Sequence, residues 1–232
     1  MNELLRVERI TKLFRDRCVL RNISFTVRTG EVLGLIGPNG AGKTTLFECL
    51  AGLIPANAET VRYRNQILPA LQRKEALFYL PDAIVPWADQ TVAWVLGFFE
   101  HLYGSSAKEF REPLRLHEIM KSTIGSLSKG ERKRTLLALG LMTPQPLLML
   151  DEPFDGLDLR QTRDVMELLK QQKTKERTLM LSIHQLADAG RVCDRLVLLS
   201  DGKVVGEGTI SELQALAGLT GGGVEEIFLA LT

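Results

Sequence analysis

Residues 37–44 read GPNGAGKT and fit the pattern G-x-x-x-x-G-K-[ST], after a short apolar run and at the opening of a helical pattern. Gly37, Gly40 and Gly42 let the backbone turn so that successive N–H groups face inward and cradle phosphate oxygens, with the positive end of the following helix behind them. The Lys43 ammonium can reach the β- and γ-phosphates of a nucleoside triphosphate, and the Thr44 hydroxyl can ligate Mg²⁺. The candidate phosphate-binding residues are Gly37, Pro38, Asn39, Gly40, Ala41, Gly42, Lys43, Thr44 and Thr45. A Gly-rich turn before a helix can be purely structural; Lys43 and Thr44 between the right flanks make this one a site.

A second chemical feature lies at residues 147–152, LLMLDE, where two carboxylates end a hydrophobic strand pattern. Open α/β sheets collect their ligands at such strand ends. Asp151 is expected in the Mg²⁺ shell, and Glu152 is expected to polarise an attacking water beside the γ-phosphate. Taken alone, either acid could equally be a helix cap or a turn residue before Pro153; with the phosphate loop, the two features make one site.

The elements that must position these groups can be read from periodicity. Residues 4–14, 20–27 and 31–36 are short β-type runs, and residues 43–51 place Leu46, Phe47 and Leu50 at helical spacing before Gly52 and Pro55. Another apolar run spans 76–80. Helical patterns are predicted at 91–102, 108–120 and 130–142, then strands at 147–150, 179–183, 195–199 and 203–205, a helix at 160–173 and a last one at 224–231. Strands alternating with helices predict an α/β fold with a mostly parallel sheet covered on both faces, and residues 81–142 read as a helical lobe inserted into it.

Composition narrows the class further. The 29 Lys plus Arg against 28 Asp plus Glu leave a charge of +1, far from the basic excess usual where gripping nucleic acid is the main task. The longest uncharged stretch, 16 residues from 135 to 150, falls short of a membrane span and is broken by Pro144 and Pro146. Residues 1–10 lack the basic and apolar blocks of a secretory leader. Cys18, Cys49 and Cys193 match no zinc spacing, so a reducing cytoplasm is expected.

Upstream of the acidic strand, residues 127–131 read LSKGE, followed by Arg132, Lys133 and Arg134. Together with the phosphate loop and the acidic strand end, this segment makes nearly the whole chain resemble the nucleotide-binding subunit of an ATP-binding-cassette (ABC) transporter, of the exporter type with a separate permease. The resemblance implies a P-loop NTPase core with an antiparallel β subdomain at the N-terminus and an inserted helical subdomain. The domain expected is a single one, residues 1–232, with 1–80 and 144–232 forming the ATP-binding lobe and 81–143 the helical lobe. ATP and Mg²⁺ are the implied cofactors, with Lys43, Glu152 and His184 as catalytic residues.

By the same resemblance, Ser128 and Gly130 would bind the γ-phosphate held by a second cassette, Phe14 would stack on adenine, and Asp158 in FDGLD (154–158) would lie at the dimer interface. His184, after the strand at 179–183, would be the switch histidine at the γ-phosphate. A lone aromatic in a strand is ordinarily core, and a lone histidine after one is ordinarily structural; the company of the other motifs gives both their roles. The implied partners are a transmembrane permease and a second nucleotide-binding subunit, a copy or a relative, which would place the chain in the cytoplasm against the inner face of the cell membrane.

Three features depart from the family pattern. Asp82 stands where the family commonly has Gln at the entrance to the helical lobe, and a carboxylate can still ligate Mg²⁺. Lys129 and Glu131 replace Gly and Gln in the signature, and Glu131 is expected to face solvent, away from any phosphate. The helical lobe is short, with 22 residues between Gly104 and Leu127. The alternative function is a soluble ABC ATPase acting on nucleic acid, the ribosome or a cofactor-assembly complex; the long insertions or doubled cassettes of those classes are absent from the sequence.

Overall fold

Alternate residues of the short apolar runs point to opposite sides of one sheet, which gives the molecule two cores. In β3 (Val32–Ile36), Leu33 and Leu35 face one core while Val32 and Ile36 face the other. The computed structural model describes residues 3–82 and 84–232; Met1, Asn2 and Ala83 lie outside them.

The first core lies under an antiparallel sheet of β1 (Glu3–Phe14), β2 (Arg17–Arg28), β4 (Ala58–Tyr63) and β5 (Gln66–Ile67), in the order β2-β1-β4-β5. Leu5, Val7, Ile10, Leu20 and Phe25 pack there with Leu46 and Phe47 of α1 (Lys43–Ala51). The larger sheet has the order β10-β9-β3-β8-β7-β6, where β6 is Leu77–Leu80, β7 Leu147–Asp151, β8 Thr178–Ile183, β9 Arg195–Ser200 and β10 Lys203–Gly208. β6, β7, β8, β3 and β9 are parallel, and β10 alone runs antiparallel, on β9. The buried guanidinium of Arg195 joins the two sheets, donating to Glu31, Glu207 and the Thr26 carbonyl.

On the second face lie α3 (Val92–Tyr103), α5 (Lys129–Leu141), α6 (Leu159–Gln172) and α7 (Leu186–Val192), with α8 (Ile210–Leu216) and α9 (Val224–Leu231) beyond β10. The C-terminal half of α5 belongs to this core: Gly140 sits against Leu80, Leu148 and Leu150, while the start of the same helix reaches out of it. Thr91 caps α3 by accepting from the Trp94 N–H.

The continuous helix expected over 108–120 does not form. α4 is Lys108–Arg111 alone, followed by a 3₁₀ turn at Leu116–Glu118. Pro113 contributes no N–H, and Arg115 turns left-handed at φ 48°, so the chain folds back on itself. Phe110, Leu114, Leu116 and Ile119 are still buried, which is why their spacing imitates a helix. The polar, half-exposed β4 and short β5, and the brief α2 (Arg73–Ala76), α7 and α8, carry too little periodicity to be read from sequence.

Candidate active site

Four neighbouring parallel strands end together and bring the candidate residues to one edge. Ile36 pairs with Ile183, Asp151 with Ser182, and Leu80 with Leu150, so the loop after β3, the acids at the end of β7, His184 after β8 and Asp82 after β6 emerge side by side. They open on a cleft of about 420 Å³ lined by Asn39, Gly40, Gly42, Lys43, Thr44, Thr45, Asp82, Asp151 and Glu152, with Arg17 and Val19 from β2. Gly42, the residue before α1, adopts φ 102°, a conformation a side chain resists, and a Cβ there would meet Leu20 at 2.8 Å.

The charged groups in the cleft are already in contact with one another. Lys43 is buried, its ammonium donating to the Gly37 carbonyl at 2.7 Å and standing 3.8 Å from Glu152 Oε1. Thr44 Oγ1 donates to Asp151 Oδ2 at 2.9 Å, and Tyr79 donates to the same oxygen at 3.2 Å. Ser182 Oγ donates to Asp151 Oδ1 while accepting from the Glu152 N–H at 3.0 Å. That bond helps hold Glu152 at φ 48°, a left-handed conformation that costs a glutamate about 1–2 kcal/mol and turns its side chain toward Lys43 and His184. His184 Nδ1 lies 2.6 Å from Glu152 Oε2. The site therefore offers buried cationic and backbone donors for phosphate, two hard oxygens for a cation, and a carboxylate free to take up a water proton.

The LSKGE segment lies apart from the cleft, at the start of α5. Ser128 is exposed and caps α5, accepting from the Glu131 N–H at 3.3 Å. Glu131, expected as a solvent-facing acid at the helix start, turns its carboxylate back on Ser128, accepting from the Ser128 hydroxyl at 2.6 Å and from the Ser128 N–H at 2.8 Å and closing a capping box. These two bonds hold the Glu131 pKa below the usual carboxylate range. Lys129 pairs with Asp155 in the loop after β7, which lowers the Asp155 pKa, and Gly130 passes so close to that loop that a Cβ would lie 2.7 Å from the Gly156 carbonyl. Lys133, one turn along α5 and buried, forms an ion pair with Asp82.

Comparison with known proteins decides what this arrangement is. The family model described as ABC transporter matches residues 20–155. This chain belongs to the ABC transporter family. An uncharacterised ABC transporter ATP-binding protein of Methanocaldococcus jannaschii is 34% identical over 92% of the chain and 80% of its own length. The lipopolysaccharide export system ATP-binding protein of Acidithiobacillus ferridurans is 32% identical over 92% of the chain and 93% of its length. Among solved structures, an ATP-binding subunit of an ABC transporter superposes with a TM-score of 0.88 at 29% identity, covering 98% of the chain and 99% of that subunit. The cassette described here is thus an ATP-binding subunit whose reaction is ATP hydrolysis, on the P-loop NTPase fold the motifs imply.

In this cassette the phosphate loop, Asp151, Glu152 and His184 come together, and Asp82 joins them while paired with Lys133. Ser128, Gly130 and Asp158 do not line the cleft; Asp158 caps α6 by accepting from the Gln161 N–H at 2.8 Å. Phe14 does not line the cleft either; it ends β1, paired with the cleft-lining Arg17, 46% exposed and with the Lys12 ammonium 4.8 Å from its ring centroid. Sequence reasoning passed over Arg17, Val19, Tyr79 and Ser182. Tyr79 and Ser182 lie inside apolar strand patterns, and a lone hydroxyl there carries no signal of its own.

Proposed function

We propose that the cassette works as one of two ATP-binding subunits, closing on ATP with a second copy or a relative to drive a separate, exporter-type permease from the cytoplasmic face of the membrane. The single observation carrying this reading is that groups suited to phosphate occur in two places: Lys43, Thr44, Asp151 and Glu152 line the cleft, with His184 against Glu152, whereas Ser128 and the start of α5 lie outside it. A second chain's signature segment would cover the nucleotide in this cleft, and this chain's would cover the partner's. The reported relatives are transport subunits, the class the sequence places ahead of nucleic-acid ATPases.

Among the described residues no three His, Cys, Asp or Glu side chains gather closely enough to hold a metal by themselves, whereas Thr44 Oγ1 and Asp151 Oδ2 offer adjacent hard oxygens beside the phosphate loop. This donor set fits Mg²⁺, which is ordinarily held by one or two protein oxygens together with substrate phosphates. Bound there, Mg²⁺ would neutralise charge on the phosphates. Asp82 would reach it by exchanging the Lys133 ammonium for the cation. Lys43 would bind the β- and γ-phosphates, Glu152 would take the proton of the attacking water, and His184 would orient Glu152 and contact the γ-phosphate. Phe14 would stack on adenine, with Lys12 behind its ring.

The division into an ATP-binding lobe (1–80 and 144–232) and a helical lobe (81–143) is part of the same reading. Trp87, Trp94 and Phe98 of the helical lobe are each at least 40% exposed and packed together, Trp94 stacked on Phe98 at 5.6 Å. Exposed aromatic groups of this kind suit a protein interface. They are assigned to the permease, and Trp94→Asp is expected to release the cassette from membranes containing that permease; unchanged co-fractionation would move the docking surface elsewhere. No helix among the described residues is long and apolar enough to span a membrane.

The test of the paired mechanism is Glu152→Gln. It keeps the shape of the cleft but removes the proton acceptor, so hydrolysis should fall by about 10²–10⁴-fold while an ATP-bound dimer accumulates. Light scattering after size exclusion, with and without Mg-ATP, reads the dimer. A monomer hydrolysing at the wild-type rate would refute the role of Glu152; a monomer without hydrolysis would point to a pair of different chains.

A further inference from the structure

Asp151 receives more hydrogen bonds than the phosphate loop alone provides. Thr44 and Tyr79 both donate to Oδ2, and Ser182 donates to Oδ1. An ionised carboxylate has about four lone-pair sites, so three donors leave one open on a residue that lines the cleft. Tyr79 gains this position from the sheet. It pairs with Met149 across β6 and β7, and Asp151 lies two residues further along β7, on the same face.

The ring of Tyr79 meets Phe47, on the helix that begins at the phosphate loop, edge-on at 5.8 Å between centroids. None of the family motifs read from the sequence includes this residue, which belongs to the short run 76–80 before Asp82.

We propose that Tyr79 is a positioning residue for the cation site: through its hydroxyl it holds the Asp151 carboxylate so that the remaining lone pair faces the metal and its water shell. The proposal rests on the reading that Thr44 and Asp151 receive Mg²⁺. Thr44 fixes Oδ2 from the loop side, Ser182 fixes Oδ1 from β8, and Tyr79 supplies the third point, from the opposite neighbouring strand. Without it the carboxylate keeps one donor on each oxygen and is held less tightly about its Cβ–Cγ bond. Partners that orient a metal-binding group typically contribute about 10–100-fold to affinity when removed.

The experiment measures affinity for a fluorescent ATP analogue, first in EDTA and then across a Mg²⁺ titration, for the intact chain and for Tyr79→Phe. Wild type should gain affinity with Mg²⁺. Tyr79→Phe should match it in EDTA within twofold, because the phosphate loop is untouched, and should lose about tenfold of the Mg²⁺-linked gain. An undiminished gain would overturn the proposal, as would an equal loss in EDTA and in Mg²⁺. Phe47→Leu, which loosens the packing of the ring but retains the hydroxyl, separates packing from hydrogen bonding: it should keep the Mg²⁺-linked gain within twofold, and a loss equal to that of Tyr79→Phe would overturn the proposal. Thermal melts accompany both variants. If wild type itself shows no Mg²⁺-linked gain, the Thr44–Asp151 metal reading fails and the Tyr79 proposal falls with it.

Discussion

The phosphate-loop side and the signature side of this cassette both present groups that suit phosphate, and they are built in opposite ways. At the cleft, Asp151, Glu152 and His184 stand at or just past the ends of buried parallel strands, Lys43 and Thr44 open α1 behind the loop that follows β3, and each is paired with another member of the site. At the signature, Ser128 and Glu131 bond to one another at an exposed helix start, and Lys129 reaches the loop after β7. The difference teaches that the half holding the nucleotide is pre-organised by the sheet. The other half is satisfied locally and, in the proposed function, would exchange internal bonds for a partner's phosphate.

Breaking each half should give different failures. Lys43→Ala removes two or more charge-assisted bonds to phosphate, each worth about 1.5 kcal/mol, so ATP affinity of the isolated subunit should fall on the order of 100-fold. Ser128→Arg, at an exposed position outside the cleft, should leave that affinity within about twofold while abolishing hydrolysis that needs two subunits. Calorimetry and a phosphate-release assay distinguish the two. Undisturbed turnover in Ser128→Arg would remove the signature from the site, and near-normal binding by Lys43→Ala would remove the phosphate loop.

The smallest effect tests the locally satisfied half. The folded-state pKa of Glu131 is depressed by the Ser128 hydroxyl and N–H, so its contribution is present at neutral pH and lost as pH falls through that depressed value. Gln at this position retains the capping geometry but lacks the charge at the helix start. Glu131→Gln should therefore melt about 1–2 °C below wild type at pH 7, from a charge–dipole contribution of about 0.5 kcal/mol. The gap should close on acidification below the carboxylate range. A pH-independent gap would show that the carboxylate is not acting through its charge.

Much of the nucleotide half was legible before any fold was known, because its information is local. GPNGAGKT contains its own turn, cation and hydroxyl, and Asp151 with Glu152 ends an unbroken apolar run. The helix over Lys43–Ala51 and the last helix, Val224–Leu231, match their periodicity to the residue. Periodicity misled at 108–120, where Phe110, Leu114, Leu116 and Ile119 are spaced as on a helix but the backbone cannot continue past Pro113 and Arg115. It was silent on Tyr79 and Ser182, which look like ordinary members of buried strands.

The sequence by itself therefore determined the chemistry at hand: which groups are suited to phosphate, which acids follow the strand, and which histidine is available. Tertiary structure alone decided that Tyr79, 72 residues from Asp151, and Ser182, 31 residues from it, would hold the same carboxylate from opposite sides. It also decided that Lys133, 51 residues from Asp82, would neutralise it. The reason is the reach of each interaction. A phosphate loop is formed by backbone N–H groups a few residues apart and can be written in eight letters, whereas a bond between side chains on different strands depends on strand order and register, which hundreds of other contacts set together.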